Sequence, residues 1–502
     1  MKQLKKLAAV LLAVVMTLAM NMTVFADDAP TTATSDPATY RLTLDNTAEG
    51  HTYEAYQIFT GDLSTNEKGE KVLSNVKWGT GVDYTGTELA ADVAKALGDG
   101  SMTIATLEGK LTLKAPVKTV EKSSKGSTVI DGLEAGYYLV KDKDGTQKDT
   151  SDAYTKFIVQ VVGDTEVAVK SDVPTVEKKV KDTNDSTGDT SKWQDSADAD
   201  INDKVQYQIT GTMPDNIADY TKYTYKFTDT MSKGLTYNAD AKITIGEKDV
   251  TSSFTTDVTT NAKGEKVVTW SCGDLKTIKD VALTKETTVV VTYSATLNND
   301  AVIGAAGNPN TVNLTYSNNP NKGGDGETGK TPDDKNIVFT YKTVVNKVDQ
   351  SGKSLKGAAF KLEKKVKTAD GTTTMQTVKE FTAGDDTTFT FTGLDDGDYK
   401  LTETTTPNGY NTIDPVEFTI SAEHDKESDD PKLTKLSVDE TSDEAEFTVN
   451  KDAGSLTTDI MNKKGSTLPS TGGIGTRMFY VFGGCLVAAA VVLLALKKRK
   501  EA

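Results

Sequence analysis

Short runs of β-branched and aromatic residues recur through most of this 502-residue chain, separated by turns rich in glycine and aspartate. Many of these runs alternate apolar with polar residues, which places every second side chain on one face of a strand. The clearest runs are residues 156–162, 205–210, 223–227, 287–293, 312–316 and 336–345. Residues 88–97 break the pattern, because their spacing is helical and Gly98 follows. The sequence therefore predicts an all-β fold of tandem immunoglobulin-like β-sandwich domains, with one short helix in the first domain.

The composition excludes a nucleic-acid-binding role. The chain carries 73 acidic and 57 basic residues, a formal net charge of -16, whereas binding to phosphates requires a basic surface. Two histidines and two cysteines are too few for the usual zinc sites or for a disulfide framework. We therefore expect no nucleic-acid partner, no cofactor and no metal site.

One segment carries a weak signal for a cation. Residues 182–189 read DTNDSTGD, which is rich in the oxygen ligands that calcium prefers. The glycine of this run falls one place late for a calcium-binding loop, and Trp193 stands where the bidentate glutamate should be. The sequence favours a solvated turn at this position.

The N-terminus is typical of an exported protein. Residues 1–26 begin with a basic stretch and continue with an apolar stretch at 7–20, which is short for a membrane span. Val24 and Ala26 are the small residues expected before a cleavage site at Asp27. We expect residues 1–26 to be a cleaved signal peptide.

The C-terminus combines a short motif with an apolar run and a basic tail. The motif consists of Leu468, Pro469, Ser470, Thr471 and Gly472. The uncharged apolar run at 478–496 is long enough to span a bilayer, and four basic residues follow it. In this order, residues 466–502 resemble the LPxTG cell-wall sorting signal of Gram-positive surface proteins. The resemblance implies that a membrane sortase cuts between Thr471 and Gly472 and passes the Thr471 carbonyl to an amine, so that the span is a transient membrane tether.

Composition shifts divide the rest of the chain. Residues 318–334 are rich in glycine, asparagine and aspartate, and residues 172–200 mix a strand-like piece with a polar run. A short internal echo, GLEAGYYLVKD at 132–142 and GLDDGDYKLTE at 393–403, indicates that the first and last domains are related. We expect domains at residues 27–171, 172–335 and 336–465.

The last domain has the clearest pattern. It opens VVNKVDQSGKSLKGAAFKLEK, continues through FTGLDDGDYKLTETTTPNGY and closes DIMNKKG. This pattern resembles the Cna B-type domain of Gram-positive surface proteins and pilins. The resemblance implies an isopeptide bond between Lys347, near the start of the domain, and Asn462, near its end, with Glu403 as the acid that promotes the reaction.

The chemistry of such a bond explains the residue types. A lysine attacks only as the neutral amine, so it must be desolvated in an apolar core. The asparagine carbonyl must be polarised, and a buried carboxyl that keeps its proton can donate a hydrogen bond to it. The reaction runs once and releases ammonia, after which the three residues are part of the structure.

The middle domain contains the segments PTVEKKV, FTDTMSKGL and GNPNTVNLTYSNNP, which resemble the isopeptide-forming second domain of major pilins. The trio implied by this resemblance is Lys178, Asp229 and Asn310. Alternation places Lys178, and not Lys179, on the apolar face of its strand. It does not separate Asn310 from Asn318, because both share a face with the apolar residues between them.

The first domain opens YRLTLDNTAEGHTYEAYQIFTGD and resembles the N-terminal domain of the same pilins. Arg41 lies on the opening strand, about where an amine donor would be expected. A guanidinium does not become a neutral nucleophile at ordinary pH. We expect no bond in this domain and therefore expect it to be the most labile of the three.

The junction after the first domain carries a candidate linking lysine. In backbone pilins, a lysine in a V-x-V-Y-P-K setting at this place joins one subunit to the next. Lys170 follows Val167 and Val169 as that pattern requires, although the Tyr-Pro pair is missing. The resemblance implies that Thr471 of one subunit becomes linked to Lys170 of the next, and Lys178 and Lys179 are the rival positions.

Over nearly its whole length, the chain resembles the major, or backbone, pilin of a sortase-assembled Gram-positive pilus. The resemblance implies a structural subunit of a covalent surface pilus rather than an enzyme, and neither His51 nor His424 accompanies a recognisable nucleophile motif. The implied partners are pilus-class and housekeeping sortases, identical subunits, accessory pilins and the peptidoglycan of the cell wall. The alternative is a monomeric wall-anchored adhesin that uses the same domains as a stalk.

Overall fold

The computed structural model describes residues 38–66, 69–102, 104–147, 150–169, 173–324, 326–440 and 444–464, with the single positions 483 and 487. The expected signal peptide lies outside these ranges, and so does the sorting segment apart from those two positions. In the part of the chain that is described, no helix is long and apolar enough to cross a membrane.

The all-β fold expected from the alternating runs is confirmed, because strands follow one another from Thr39 to Asn462 in stacked sheets. The N-terminal part comprises β1 (Thr39–Thr47), β2 (Tyr53–Thr65), β3 (Lys71–Trp78), β4 (Val82–Tyr84), β5 (Leu111–Leu113), β6 (Lys118–Val120), β7 (Gly126–Glu134), β8 (Gly136–Asp142), β9 (Lys156–Val161) and β10 (Thr165–Ala168), with helices α1 (Ala90–Gly98) and α2 (Ile104–Glu108). One sheet has the order β10–β1–β7, and the other has the order β3–β2–β8–β9 with β6 beside β2. Strands β4 and β5 form a separate ribbon.

Helix α1 covers the edge of the second of these sheets. Its buried residues Ala90, Val93 and Ala94 are three and four positions apart, so they form one face of the helix. The helix ends at Gly98, as the sequence predicts. The second helix, α2, was not predicted, because five residues are too few to show a helical period.

The middle part is a larger sandwich. Its strands are β11 (Val176–Val180), β12 (Thr183–Asn184), β13 (Asp189–Thr190), β14 (Ser196–Asp198), β15 (Lys204–Thr212), β16 (Tyr225–Met231), β17 (Leu235–Tyr237), β18 (Lys242–Ile245), β19 (Lys248–Asp249), β20 (Thr255–Thr260), β21 (Lys266–Cys272), β22 (Thr288–Leu297), β23 (Asn308–Ser317), β24 (Thr328–Lys330) and β25 (Asp334–Phe339). One sheet runs β11–β15–β22–β18–β19 with β17 beside β22, and the facing sheet runs β14–β25–β23–β16–β21–β20 with β24 beside β23. Short 3-10 turns lie at Ile217–Asp219, Thr251–Ser253, Leu275–Thr277 and Pro320–Lys322.

The C-terminal part is a compact two-sheet sandwich. Its strands are β26 (Tyr341–Asp349), β27 (Ala359–Lys367), β28 (Thr373–Glu380), β29 (Thr388–Leu394), β30 (Gly397–Thr405), β31 (Val416–His424), β32 (Leu433–Glu440), β33 (Phe447–Asn450) and β34 (Ser455–Asn462). One sheet has the order β29–β26–β34–β33, and the other has the order β28–β27–β30–β31–β32. The first and last strands, β26 and β34, are neighbours and run parallel.

The run at residues 336–345 is two strands rather than the single strand that its pattern indicates. The chain changes sheets at Thr340, where β25 ends in the middle sandwich and β26 begins in the C-terminal one. Val338 of β25 belongs to the apolar core of the middle part, whereas Ile337 and Phe339 belong to the core of the C-terminal part. One strand therefore contributes alternate side chains to two successive cores.

The N-terminal part buries a histidine where it adjoins the middle part. His51 is 1% exposed, and its Nδ1 lies 2.9 Å from Asp142 Oδ1 while its Nε2 lies 3.7 Å from Asp152 Oδ2. The imidazole also stacks on the ring of Tyr53. Burial alone lowers the pKa of His51, but the hydrogen bonds and charges of Asp142 and Asp152 outweigh it and raise this pKa to about 9.

We expect His51 to stabilise the folded chain in a pH-dependent way. Its pKa is higher in the folded chain than the ordinary value of 6.5, so the stabilisation is complete below about pH 6.5 and is lost as the pH rises through about 9. Thermal unfolding of wild type and His51→Gln between pH 6 and 10 should show a difference in Tm that shrinks across this window. Arg41→Gln is the control, because Arg41 is exposed and a guanidinium keeps its charge throughout this pH range. A difference that stays constant with pH would contradict the prediction.

Candidate lysine–asparagine cross-linking sites

The alternation of β11 determines which of two neighbouring lysines is buried. Val176, Lys178 and Val180 point into the middle sandwich, while Glu177 is exposed and Lys179 is half-buried at the surface. The Lys178 side chain is 0% exposed. A lysine is almost never fully buried unless it is paired, so its partners define the candidate site.

Three polar side chains surround the Lys178 amine. Lys178 Nζ donates hydrogen bonds to Asp229 Oδ2 and to the Tyr293 hydroxyl, the latter at 2.6 Å. The Tyr293 hydroxyl in turn donates to Asp229 Oδ2 at 2.8 Å and accepts from Asn310 Nδ2 at 2.8 Å. The one donor and two acceptor positions of this hydroxyl are thus all used. The amine, acid and amide expected from the sequence are brought together around a tyrosine.

The acid and the amide beside Lys178 come from the facing sheet, whereas Tyr293 lies on β22 of the same sheet as Lys178. Asp229 lies on β16 and Asn310 on the adjacent β23, where Asp229 is opposite Val312 and Asn310 is opposite Met231. Asp229 and Asn310 are therefore diagonal neighbours on one face of the sheet, within reach of one side chain from across the core. A bond between Lys178 and Asn310 would join the two sheets of the sandwich.

The apolar surroundings favour the uncharged forms of this pair. Burial lowers the pKa of Lys178, against the opposing effect of Asp229. Burial likewise raises the pKa of Asp229, against the opposing effect of Lys178. The rings of Tyr207 and Tyr293 lie 5.2 and 5.1 Å from Lys178 Nζ and exclude water from it. Within the described part of the chain, Asp229 Oδ1 and Asn310 Oδ1 are buried without a hydrogen-bond partner, so each has an oxygen available for a further contact.

The C-terminal sandwich buries a second lysine. Lys347 lies on β26 opposite Ile460 of the parallel strand β34, and Asp349 lies opposite Asn462. The Lys347 side chain is 0% exposed, and its Nζ donates to the carbonyl oxygens of Ile460 at 2.7 Å and Val348 at 3.3 Å. The parallel register therefore places Lys347 and Asn462 near each other on adjacent strands of one sheet.

The acid of this second site comes from the facing sheet. Glu403 on β30 has Oε1 at 4.0 Å from Lys347 Nζ, and its Oε2 accepts a hydrogen bond from Asn462 Nδ2 at 3.0 Å. Asn462 Nδ2 also donates to the Asn411 carbonyl at 2.9 Å. Glu403 Oε1 and Asn462 Oδ1 are buried and accept no hydrogen bond from the residues that the structure describes. Burial lowers the pKa of Lys347 to about 8, although the charge of Glu403 opposes the shift.

The rival residues of the middle domain lie elsewhere. Asn318 is fully buried, but its Nδ2 donates to the Gln147 carbonyl at 2.6 Å and to the Asp152 carbonyl at 3.1 Å, where the N-terminal part packs. Lys179 Nζ pairs with Asp195 Oδ1 at 2.6 Å near the surface. Neither residue contacts the groups around Lys178 in the structure.

The other residues singled out from the sequence fall into two groups. Arg41 is an exposed residue paired with Asp131 at 2.9 Å, and it is not part of a buried site. The linking lysine and the sorting motif lie outside the described residues; they are Lys170, Leu468, Pro469, Ser470, Thr471 and Gly472. Their roles stay predictions.

Two further groups of the middle site were not found from the sequence. Tyr293 ends one of the predicted strands, and alternation alone indicates that it points inward, but its contacts with three other strands depend on tertiary packing. Asn336 on β25 lies directly opposite Asn310 and is 0% exposed, with neither amide atom hydrogen-bonded. It adds a second amide beside the first.

Comparisons with known proteins cover most of the chain. Residues 201–320 match the family described as Gram-positive pilin backbone subunit 2, Cna-B-like domain. Residues 342–434 match the SpaA family, described as a prealbumin-like fold domain, and residues 460–502 match the LPXTG cell wall anchor motif. The three matches follow one another along the chain in the order expected of an anchored pilin.

One sequence relative and two solved structures extend the comparison to most of the chain. The chain is 26% identical to the trypsin-resistant surface T6 protein of Streptococcus pyogenes serotype M6, over 93% of this chain and 96% of that protein. The solved structure of the T6 backbone pilin from the same organism shares the fold, with a TM-score of 0.52 and 18% identity over 86% of this chain and 100% of that chain. The full-length major pilin SpaD of Corynebacterium diphtheriae gives a TM-score of 0.49 and 20% identity, over 85% of this chain and 98% of that chain. The chain thus combines a match to a Gram-positive pilin backbone domain with a SpaA-type domain and an LPXTG cell wall anchor motif, and over most of its length it is similar to a surface protein of a Gram-positive bacterium.

Proposed function

We propose that this chain is a backbone pilin that a sortase joins into a covalent pilus shaft, and that internal Lys178–Asn310 and Lys347–Asn462 bonds hold its middle and C-terminal domains together. The observation that carries the internal bonds is the burial of each lysine beside a carboxyl and an asparagine amide. A structural subunit of a surface pilus attached to the cell wall is the role that the family matches support.

The bond-forming step needs only groups present in each site. The neutral lysine Nζ attacks Cγ of the asparagine, a C–N bond forms, and the side-chain nitrogen of the asparagine leaves as ammonia. A proton passes from Nζ to that leaving nitrogen, and Asp229 or Glu403 is the group placed to carry it. In the middle domain, Tyr293 holds amine, acid and amide in one hydrogen-bonded cluster and so lowers the entropic cost of reaching the attack geometry.

The two bonds would act at places where tension enters a domain. The C-terminal bond would join the first and last strands of its sandwich, β26 and β34, so that a pull along the chain passes through covalent bonds. The middle bond would join β11 to β23 and enclose the strands between them in a covalent loop. Hydrogen bonds in these sheets would then be relieved of most of the load.

Polymerisation would use the C-terminus of the mature chain and the junction after its first domain. We propose a cut between Thr471 and Gly472 and transfer of the Thr471 carbonyl to Lys170 of the next subunit, so that an amide replaces the thioester of the enzyme. A linking lysine must be exposed to the enzyme, whereas a lysine in an internal bond must be buried. This difference separates the role of Lys170 from that of Lys178. Domains at 27–171, 172–335 and 336–465, pilus-class and housekeeping sortases, accessory pilins and peptidoglycan attachment complete the proposal.

The internal bonds predict a mass deficit. Chain 27–471 produced without a sortase should be lighter than its calculated mass by two molecules of ammonia, because each bond releases one. Lys178→Ala and Lys347→Ala should each restore one ammonia, as measured by intact mass spectrometry. The matched control is Lys179→Ala, on the outer face of the same strand, which should keep both losses. If the wild-type chain has its full calculated mass, the internal bonds do not form. The proposal that sortase polymerises the chain would be unaffected by that result.

The unlinked C-terminal domain should gain stability as the pH rises. In Asn462→Ala no bond can form, and Lys347 keeps a pKa of about 8 in the fold against an ordinary value of 10.5. Between these values the unfolded chain binds more protons, so the free energy of unfolding should increase, by on the order of 3 kcal/mol in full. Denaturant unfolding from pH 7 to 11 measures this increase. Lys347→Met in the same background should abolish it, and an unchanged slope there would show that another group is responsible.

Polymerisation predicts a ladder of sortase-dependent multimers. Co-expression with the pilus-class sortase should give covalent multimers that resist boiling in detergent, and both Lys170→Ala and Thr471→Ala should leave only the monomer. Lys179→Ala is again the control and should keep the ladder. If the ladder survives in Lys170→Ala and disappears in Lys179→Ala, the linking residue is Lys179. If the wild-type chain forms no ladder, the monomeric adhesin is the better description.

A further inference from the structure

Aspartates from two domains converge where the middle and C-terminal parts meet. The middle part contributes Asp182, Asp185, Asp198, Asp200 and Asp203, and the C-terminal part contributes Asp395 and Asp396. Asp198 is 4% exposed and Asp395 is 0% exposed. Burial of this many carboxylates is costly unless positive charge or protons compensate them.

Two basic side chains compensate the two ends of the cluster. Lys364 Nζ lies 2.5 Å from Asp200 Oδ2, 3.2 Å from Asp395 Oδ2 and 3.6 Å from Asp185 Oδ2. At the opposite end, His424 Nε2 lies 3.5 Å from Asp182 Oδ2 and 3.7 Å from Asp198 Oδ1. Lys364 and His424 together provide two positive charges for the seven aspartates of the cluster.

Three carboxylates form the centre of the cluster. Asp198, Asp395 and Asp396 each offer one carboxylate oxygen, and these oxygens lie within 4.8 Å of one another. Asp198 Oδ2 is buried without a hydrogen-bond partner among the described residues, and its side chain is 2% exposed. The Tyr341 hydroxyl is buried beside Asp198. Burial is the largest cause that raises the pKa of this hydroxyl, followed by the charge of Asp198 and a hydrogen bond with it, and then by the charges of Asp395 and Asp396.

We propose that Asp198, Asp395 and Asp396 bind a divalent cation of the calcium type, which ties the middle domain to the C-terminal domain. Calcium prefers oxygen ligands, and carboxylate oxygens are prominent among them. Asp198 ends β14 of the middle part, whereas Asp395 and Asp396 form the turn between β29 and β30 of the C-terminal part. A cation bound by all three would therefore cross-link two domains.

The segment at residues 182–189 contributes to this arrangement because of where it lies in the fold. Its own residue spacing does not match that of a calcium-binding loop. Its strands β12 and β13 form a hairpin that reaches over the C-terminal part. Asn184 Nδ2 donates to Asp396 Oδ1 at 2.6 Å, and Ser186 Oγ donates to the Lys365 carbonyl at 2.7 Å. The hairpin thus holds Asp396 in place beside the other two aspartates. The sequence predicts no metal site. Asp198 is distant in sequence from Asp395 and Asp396, so only the fold brings the three aspartates together.

The test uses chain 27–471, the form expected after processing, first treated with EDTA and then titrated with CaCl₂ or MgCl₂ at pH 7.5. Calorimetry should give one calcium per chain with a Kd of about 1 mM or tighter, and saturating calcium should raise Tm. Asp198→Asn and Asp395→Asn should lose both effects. The matched control is Asp439→Asn, an exposed residue of β32 in the same domain, which should keep them.

A second measurement covers variants that fail to fold. Terbium bound at this site should emit on excitation of tyrosine, because the Tyr341 ring lies beside the three aspartates, and calcium should displace it. Tyr341→Phe retains the apolar ring, so it should fold and bind calcium while the sensitised emission falls. Calcium binding that persists unchanged in Asp198→Asn and Asp395→Asn would overturn the assignment, and so would the absence of any calcium effect on the wild-type chain. Neither result bears on the internal bonds, which are read by mass.

Discussion

The burial of two lysine side chains is the constraint on which this structure depends. Strand alternation turns Lys178 and Lys347 into apolar cores, where an unpaired ammonium group would cost several kcal/mol. Each core therefore supplies a carboxyl, and burial lowers the pKa of both amines. An ion pair is a poor way to stabilise a core, because its desolvation offsets most of its attraction. Formation of an amide between the lysine and the asparagine would remove the ammonium charge, and the carboxyl would then stay in the core as the neutral acid. For this reason the same groups suit a self-limiting reaction better than a permanent salt bridge.

The two sandwiches meet this constraint with different topologies. In the C-terminal part, amine and amide lie on adjacent parallel strands, and only Glu403 comes from the opposite sheet. In the middle part, the amine faces both the acid and the amide across the core, and Tyr293 fills the space between them. The common feature is that the amine lies near the start of each sandwich and the amide near its end. In both sandwiches the bond would therefore link the start of the domain to its end, although the strands that carry the two groups are arranged differently.

The sequence predicted the parts of this architecture that depend on local alternation. Alternation distinguished Lys178 from Lys179, because adjacent residues of a strand face opposite ways. It could not distinguish Asn310 from Asn318, which are an even number of residues apart and share a face; only the packing of the N-terminal part against Asn318 separates them. The run at 336–345 was misinterpreted for a related reason, since alternation continues through Thr340 although the chain changes sheets there.

The same strand change couples the middle domain to the C-terminal domain. β25 inserts Val338 into one core and Ile337 and Phe339 into the next, so the middle and C-terminal domains cannot separate without exposing both cores. The aspartate cluster with Lys364 and His424 adds ionic contacts across this boundary. The first junction includes the hydrogen bond from Tyr316 Oη to the Ser151 carbonyl at 2.9 Å. With subunits linked from Thr471 to Lys170, tension would enter at the start of the middle domain and leave at the end of the C-terminal domain, so these two coupled domains would carry the load.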